Sequence, residues 1–300
     1  MGMQTAADYE IDGTRLHVQI LGAGRPLLLI HGWTNNGEIW RPLATELAGR
    51  YQAIMVDLPG FGQSGLAPDY HLARISGLLL ELVRRLGVDR PVVAGLSMGC
   101  FLAADLLQRY PEQFSGAILV GPILAGNKKR WIRRGLRWSR RFPPLGRLFT
   151  RGVRSPWSGY IMERFINSRH YDPSMTASFR NLGRRQIRPE AYLPMGRSAF
   201  QVEIEAVLAA TQTPVLLVYG EYDKHARPEQ LATLCRLRPG IAACCIPGAA
   251  HNSPYEAPAA CAAVIDQFLA SVPGPLRNDE MAADDAIQLT AGLQSGQRLV

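Results

Sequence analysis

The strongest constraint on the fold is a regular alternation of short apolar runs with segments of helical periodicity. Six apolar runs end at, or directly before, a Gly, Pro or polar residue, at 25–32, 52–60, 91–96, 114–122, 213–223 and 241–248. Segments with the period of an amphipathic helix follow five of these runs, at 38–49, 74–87, 97–111, 227–237 and 257–272. Continuous apolar strands alternating with helices are typical of a parallel sheet covered on both faces. The sequence therefore predicts an α/β protein with a mostly parallel, doubly wound sheet.

Two further strands precede the first apolar run. Residues 9–12 and 15–21 flank Asp12-Gly13, a dipeptide that favours a tight hairpin turn. When the two strands of this hairpin are counted, the run at 114–122 is the sixth strand. A chain of 300 residues is long enough for one large core with an insertion. We predict a core of residues 1–122 and 206–272, a helical cap at 123–205 inserted after the sixth strand, and a loosely ordered tail at 273–300.

Composition indicates a soluble globular protein, with 47% apolar and 19% charged residues. No apolar run approaches the length of a membrane span, and the first residues lack the basic and apolar regions of a secretory signal. We therefore expect a cytoplasmic protein and leave open a peripheral association with a membrane. The odd number of cysteines without zinc-site spacing predicts buried, reduced thiols at Cys100, Cys235, Cys244, Cys245 and Cys261.

Residues able to do chemistry follow the predicted strands, where open α/β sheets bind their ligands. The clearest case is Ser97, which lies between Gly95 and Gly99 at the junction of a strand and a helix. A direct strand-to-helix reversal strains the corner residue and tolerates only small neighbours. It also exposes the hydroxyl at a helix N-terminus, where N–H groups stabilise negative charge. The motif Gly-x-Ser-x-Gly in this context predicts Ser97 as a nucleophile, with Cys100 as a core residue.

A serine nucleophile needs a base, and the base needs a carboxylate that orients its ring. His251 follows the last strand and is the predicted base, while Asp223 follows the preceding strand and is the predicted acid. Glu221 is the alternative acid. The developing oxyanion needs two N–H donors, for which we predict the backbone amides of Met98 and Trp33. This chemistry needs no metal and no organic cofactor.

Five motifs together resemble the α/β-hydrolase superfamily, in its group of lid-bearing serine esterases and lipases. They are His31-Gly32-Trp33, the loop 57–64, the elbow 95–99, the segment 220–223, and His251 followed by 255–258. The resemblance covers residues 10–122 and 210–271. It implies the α/β-hydrolase fold, Ser97 as nucleophile, His251 as base, Asp223 as orienting acid, and the Trp33 and Met98 amides as oxyanion donors.

Other polar residues at the strand ends receive structural roles. We expect His31 to hydrogen-bond its own turn and Asp57 to hold the glycine-rich loop that follows it. His225, two residues after Asp223, is expected to be solvated or to serve the loop. We expect no catalytic role for these three residues.

The basic character of the chain belongs to the predicted cap. Residues 123–205 contain 18 Lys and Arg against 5 Asp and Glu, whereas the rest of the chain is acidic. On a helix at 128–142, one face carries Trp131, Gly135, Trp138 and Phe142, and the other side carries arginines. Three interpretations remain open: a lid with its aromatic face over the active site, attachment to an anionic membrane surface, or docking of an acidic carrier protein or an anionic substrate such as an acyl-CoA. Nucleic acid is not an expected partner.

We predict a serine hydrolase that cleaves a small-molecule carboxylic ester with a moderately apolar acyl chain, through an acyl-enzyme. Apolar side chains of the cap are expected to line the acyl pocket: Phe149, Trp157, Tyr160, Ile161, Phe165, Tyr192, Leu193 and Phe200. Two alternatives use the same scaffold. One is a thioesterase, lactonase or acyltransferase acting on acyl-CoA or carrier-bound acyl groups, and the other is a slow-turnover ligand-binding receptor.

Overall fold

The computed structural model describes residues 4–155, 157, 161 and 183–272. Its strands are β1 (Gln4–Ile11), β2 (Thr14–Leu21), β3 (Arg25–Ile30), β4 (Tyr51–Val56), β5 (Val92–Leu96), β6 (Gly116–Val120), β7 (Val215–Gly220) and β8 (Ile241–Ile246). Within the described residues they form one sheet in the order β1-β2-β4-β3-β5-β6-β7-β8. The sheet is parallel from β4 through β3 to β8, and antiparallel only where β2 pairs with β1 and β4. The predicted fold class is confirmed.

The hairpin β1–β2 turns where the sequence predicts. Ile11 pairs with Thr14 across Asp12 and Gly13, which have φ values of +46° and +71°. Positive φ at both central residues is the geometry that the Asp-Gly dipeptide favours. The hairpin therefore adds two strands to the edge of the parallel sheet nearest β4.

The helices are α1 (Arg41–Leu47), α2 (Leu72–Arg85), α3 (Met98–Arg109), α4 (Asn127–Arg141), α5 (Pro143–Val153), α6 (Pro189–Ala199), α7 (Ile204–Ala210), α8 (Pro228–Leu237), α9 (Ser253–Glu256) and α10 (Pro258–Ser271). Short 3₁₀ turns occur at 37–40 and 111–113. In the described part of the chain, no helix combines the length and the apolar character needed to cross a membrane.

Alternate strand residues build two apolar layers. In β3, Leu28 and Ile30 pack into the layer that contains α2 and α3. Leu27 and Leu29 point to the opposite layer, which contains α1 and α10. Since successive strand side chains point to opposite faces, a strand covered on both sides must be apolar throughout. This double coverage explains the continuous apolar runs of the sequence.

The segment between β6 and β7 contains α4, α5, α6 and α7 among its described residues. α4 packs against α5 and α6, whereas α7 packs against α3 of the core layer. The predicted boundaries of the cap at 123 and 205 stay a prediction. The predicted tail at 273–300 lies outside the described residues.

Two of the five cysteines match the expectation of full burial. Cys100 and Cys261 are buried, but Cys235, Cys244 and Cys245 are only half-buried, so the expectation was wrong for these three. Cys244 and Cys245 lie on β8, which is an edge strand of the sheet that the described residues form.

Candidate active site

The turn from β5 into α3 places Ser97 in a strained conformation. Ser97 has φ +54° and ψ −109° and directly precedes the helix. Two close backbone approaches make this turn possible. A Cβ atom on Gly95 would lie 2.3 Å from the Gly99 carbonyl oxygen, and one on Gly99 would lie 2.3 Å from the Ile30 carbonyl oxygen. Only glycine permits these approaches, as the sequence motif implies.

Cys100 supports the same turn from inside the core. Its Sγ atom lies 3.1 Å from the Gly95 carbonyl oxygen and 3.3 Å from the Val120 carbonyl oxygen. Burial raises the pKa of the Cys100 thiol far above its usual range. The thiol therefore stays protonated and can donate to these carbonyl groups.

The predicted acid and base form a buried pair. Nδ1 of His251 lies 2.8 Å from Oδ2 of Asp223, and both side chains are almost completely buried. Burial works against ionisation of Asp223, but the charge and hydrogen bond of His251, together with His225, outweigh it. The pKa of Asp223 is therefore lowered. Glu221, the alternative acid, instead accepts a hydrogen bond from the Gly248 amide at 2.9 Å.

The end of β6 connects the serine with the pair. The Ser97 amide donates to the Val120 carbonyl oxygen at 2.8 Å. At the next residue, a Cβ atom on Gly121 would lie 2.9 Å from Nδ1 of His251 and 3.1 Å from Oδ2 of Asp223. The three residues thus gather around the carboxyl ends of β5, β6, β7 and β8. Their catalytic roles stay predictions.

The predicted oxyanion donors lie beside the serine. A Cβ atom on Gly32, which precedes Trp33, would lie 3.5 Å from Cβ of Ser97, and Met98 is the first residue of α3. Among the hydrogen bonds between described residues, the backbone amides of Trp33 and Met98 donate none. Both amides can therefore serve a ligand, which is what the oxyanion prediction requires.

The side chain of Trp33 makes a contact that the sequence does not reveal. Its ring stacks on Tyr192 with centroids 4.5 Å apart, and its Nε1 donates to the Tyr192 carbonyl oxygen at 2.8 Å. A Cβ atom on Gly196 would lie 2.3 Å from the indole ring. This contact fastens α6 to the loop that carries the predicted oxyanion donor. It joins positions 159 residues apart, so no local pattern could have predicted it.

His31 and Asp57 hold loops, as the sequence suggests. Nδ1 of His31 lies 2.7 Å from the Gly32 carbonyl oxygen, and its Nε2 accepts from the Leu58 amide at 3.0 Å. The Asp57 carboxylate accepts from the Gly37 amide with one oxygen and from the Gln63 amide with the other, each at 2.7 Å. Burial lowers the pKa of His31, which keeps the ring neutral in this role.

His225 is not solvated, which leaves the other expected role, that of serving the loop. Its side chain is buried, and its ring centroid lies 5.1 Å from that of His251. Its backbone amide donates to Oδ1 of Asp223 at 2.7 Å. His225 therefore serves the loop and also lies against the predicted base. In the sequence, only its position two residues after Asp223 indicated that it would lie close to the acid–base pair.

The aromatic face of α4 is exposed, and the lid interpretation of that face stays a prediction. Trp131 and Trp138 are 69% and 54% exposed, while Leu136 and Lys129 of the same helix are buried. The helix is as predicted, but a strip containing Lys129 packs inward. The Lys129 ammonium donates to the Val202 carbonyl oxygen and to Glu203, each at 2.7 Å.

Of the residues predicted to line the acyl pocket, some are exposed and others are buried. Phe149, Trp157 and Ile161 are exposed, whereas Tyr192 and Phe200 are buried in the core. Leu193 is buried as well, and the predicted Tyr160 and Phe165 lie outside the described residues. A surface groove of about 1020 Å³ lies between α3 and α7, but Ser97, Asp223 and His251 do not line it. It therefore contributes nothing to the candidate site.

Comparison with known proteins supports the fold. A family model for the alpha/beta hydrolase fold matches residues 25–258. A pimeloyl-[acyl-carrier protein] methyl ester esterase from Vibrio campbellii is 29% identical over 218 residues, covering 70% of this chain and 81% of that protein. A protein of the same name from Nitrosospira multiformis is 26% identical over 266 residues, covering 86% of this chain and 96% of that protein.

Among solved structures, a thermophilic esterase from Thermogutta terrifontis superposes with a TM-score of 0.73 at 23% identity. The superposition covers 89% of this chain and 98% of that chain. At this identity the likeness concerns the fold. The family match, however, spans more than three quarters of the sequence. The chain therefore belongs to the α/β-hydrolase fold family.

Proposed function

We propose that the protein hydrolyses a carboxylic ester through a serine nucleophile. The observation that carries the proposal is the buried Asp223–His251 hydrogen bond of 2.8 Å beside the strained Ser97 turn. Backbone strain and a buried carboxylate both reduce the free energy of unfolding, so their presence here calls for a functional reason. Catalysis by an activated serine explains both features.

In the first half-reaction, the Ser97 hydroxyl attacks the ester carbonyl carbon. Since Nδ1 of His251 binds Asp223, Nε2 has the role of accepting the hydroxyl proton. The negative charge formed on the carbonyl oxygen is stabilised by the amides of Trp33 and Met98 and by the N-terminus of α3. Collapse of this intermediate breaks the ester bond, and the leaving alcohol takes the proton from Nε2.

In the second half-reaction, water replaces the alcohol. Nε2 of His251 accepts a proton from water, whose oxygen attacks the acyl-enzyme carbonyl carbon. The resulting intermediate breaks the bond to the Ser97 oxygen, which regains a proton from Nε2. The carboxylate of Asp223 stabilises the imidazolium that forms in each half-reaction. Its lowered pKa keeps it ionised at neutral pH.

The test measures hydrolysis of p-nitrophenyl esters of graded acyl length. Ser97→Ala, His251→Gln and Asp223→Asn are each expected to reduce kcat about 10³-fold or more. Ser271→Ala, at an exposed position on α10, serves as the matched control and should retain the rate. Labelling by a fluorophosphonate should require Ser97. Equal hydrolysis by Ser97→Ala and the native protein would overturn the proposal.

A second candidate substrate is an ester carried on an acyl carrier protein. The two relatives reported above are named for such a substrate. In this chain, a crevice beside His225 is lined by the basic side chains of Lys129, Lys224 and Arg227. Lys129 pairs with Glu203, and the Arg227 guanidinium lies 3.7 Å from the position of a Cβ atom on Gly126. The crevice itself is only about 10 Å³, so the phosphate of a carrier's prosthetic arm would bind at its exposed positive rim rather than inside it.

The second candidate is tested by comparing one methyl ester in free and carrier-bound form. If the carrier is recognised, kcat/KM should be higher for the bound ester, and the advantage should fall in 0.5 M salt. Lys224→Gln with Arg227→Gln should reduce that advantage about tenfold while leaving the free ester unaffected. Equal values of kcat/KM for both forms would refute carrier recognition but leave the proposed ester hydrolysis intact.

A further inference from the structure

Helices α4 and α5 and the residues just beyond them expose an unusual amount of apolar side chain. Eight large apolar residues here are 43% to 80% exposed: Trp131, Trp138, Phe142, Leu145, Leu148, Phe149, Trp157 and Ile161. Elsewhere among the described residues only Leu66 and Leu237 are large, apolar and comparably exposed. Scattered apolar residues on a surface need no explanation, but a concentration in one segment indicates an interaction site.

The exposed residues of each helix share one face. In α4, Trp131, Trp138 and Phe142 are separated by seven and four positions, which places them on one stripe. The rings of Trp138 and Phe142 touch, with centroids 4.8 Å apart. In α5, Leu145 and Phe149 are four positions apart and lie on one face, while Thr150 and Val153 are buried. Each helix therefore packs one face inward and exposes a second face that carries large apolar side chains.

The charged residues within α4 and α5 are all positive. Residues 127–154 contain eleven Lys and Arg and neither Asp nor Glu. Lys129 and Arg133 pair with Glu203, on the inward side of α4. Arg134, Arg137 and Arg141 are exposed, and at about 100° per residue they lie on the flank of the aromatic stripe. The Arg134 guanidinium lies 5.8 Å from the ring centre of Trp131, so cation and aromatic surface are directly adjacent.

We propose that this surface binds the face of an anionic phospholipid bilayer. We call it the cap face, and it comprises the eight exposed apolar residues together with Arg134, Arg137 and Arg141. Tryptophan, phenylalanine and leucine enter the boundary between headgroups and acyl chains, while arginines bind the lipid phosphates. An acidic protein could satisfy the arginines and cover some of the apolar side chains. The eight apolar residues are spread over two helices and beyond, and a bilayer offers apolar surroundings across that whole width.

The proposal goes beyond ester hydrolysis and does not depend on it. It rests on exposure and charge in α4 and α5, whereas the proposed reaction rests on residues at the sheet edge. Binding at the cap face would hold the enzyme at the surface where apolar esters concentrate. Failure of vesicle binding would leave the triad untouched, and loss of activity in Ser97→Ala would leave vesicle binding untouched.

The experiment is co-sedimentation of the full chain with vesicles at about 0.1 M salt. Vesicles of equimolar phosphatidylcholine and phosphatidylglycerol are compared with vesicles of phosphatidylcholine alone. We expect binding to the anionic vesicles, with a blue shift of tryptophan fluorescence as indole rings leave water. Arg134→Gln, Arg137→Gln and Arg141→Gln together should weaken the partition coefficient about 100-fold, since each cation near an anionic surface contributes roughly a factor of five.

The apolar contribution is tested separately. Trp131→Ala with Trp138→Ala should weaken binding about tenfold or more and remove most of the blue shift. Leu237→Ala and Arg84→Gln are the matched controls, because both residues are exposed outside the cap face. Circular dichroism and hydrolysis of a short soluble ester show that each variant is folded.

Three outcomes would overturn the proposal. The first is no binding to anionic vesicles. The second is binding that the arginine substitutions abolish but the tryptophan substitutions leave unchanged, which describes a purely electrostatic contact. The third is capture of an acidic carrier protein by the cap face with no affinity for vesicles. In that case the surface serves the carrier-bound candidate substrate instead.

Discussion

Gly121 offers a sharp test of the geometry around the Asp223–His251 pair. The residue follows β6 with φ +57°, and a Cβ atom there would lie 2.9 Å from Nδ1 of His251. Ordinary contact begins at about 3.4 Å, so Gly121→Ala must displace the imidazole or the backbone by about 0.5 Å. The 2.8 Å hydrogen bond to Asp223 lies in the path of that displacement. We therefore expect the substitution to disturb the orientation of the base.

The magnitude has two parts. Alanine in the left-handed region costs roughly 1–2 kcal/mol of unfolding free energy, whatever its surroundings. Misplacement of a catalytic group by a fraction of an ångström to 1 Å can reduce the rate up to about 100-fold. We expect Gly121→Ala to lose about 1–2 kcal/mol of stability and between about 10-fold and 100-fold in kcat.

Gly87 provides the matched control. It has φ +64°, close to that of Gly121, but a Cβ atom there meets nothing within 4 Å. Gly87→Ala should lose a similar amount of stability and keep native kcat. Urea unfolding measures the first quantity, and hydrolysis of p-nitrophenyl butyrate measures the second. If both variants kept native kcat at equal stability loss, the packing of Gly121 against the predicted base would have no catalytic consequence, and our reasoning would be refuted.

Three further predictions concern stability and reactivity. Trp33→Phe keeps an aromatic ring on Tyr192 but removes the hydrogen bond from Nε1. The free energy of unfolding, measured in urea, should therefore fall by about 1 kcal/mol, and an unchanged value would contradict the contact. Cys100 and Cys261 should not react with a thiol reagent until the protein is unfolded, because burial raises the pKa of both thiols, that of Cys261 to about 12. Rapid labelling of either thiol in the native protein would contradict their burial. The pKa of Asp223 is lowered in the folded protein, so its carboxylate stabilises the fold at neutral pH, and this contribution disappears as the pH falls below about 4. Acid titration of unfolding free energy should therefore be steeper below pH 4 for the native protein than for Asp223→Asn, and identical slopes would count against the buried pair.

Much of the fold was predictable because it depends on local patterns. A strand between two helical layers must be apolar at every position, so β3 to β8 appear directly as apolar runs. Likewise, the Ser97 turn needs glycine at 95 and 99 for steric reasons, and those reasons are visible in the sequence as a motif. The pairing of Asp223 with His251 follows from their positions after neighbouring parallel strands.

What could not be predicted depends on contacts between distant residues. The stacking of Trp33 on Tyr192 joins the first half of the chain to α6, and periodicity carries no information about it. The inward face of α4 was not predicted for a related reason. Periodicity indicated the aromatic and arginine faces, but it could not show that the narrow strip with Leu136 and Lys129 would be the one to pack inward. A lysine becomes buried only when an acceptor and an acid are present, here Val202 and Glu203.

The two hydrogen bonds of Asp57 have a consequence for how the protein tolerates change. One carboxylate spans two loops, since it binds Gly37 on the side of the predicted oxyanion donor and Gln63 in the glycine-rich segment. A change in one loop that moves the Asp57 carboxylate would remove the hydrogen bond to the amide of the other loop. A lineage that altered substrate preference through either loop would therefore have to change both together, or else abandon this aspartate. Its loss would disturb both loops at once, although the residue itself is buried beneath them.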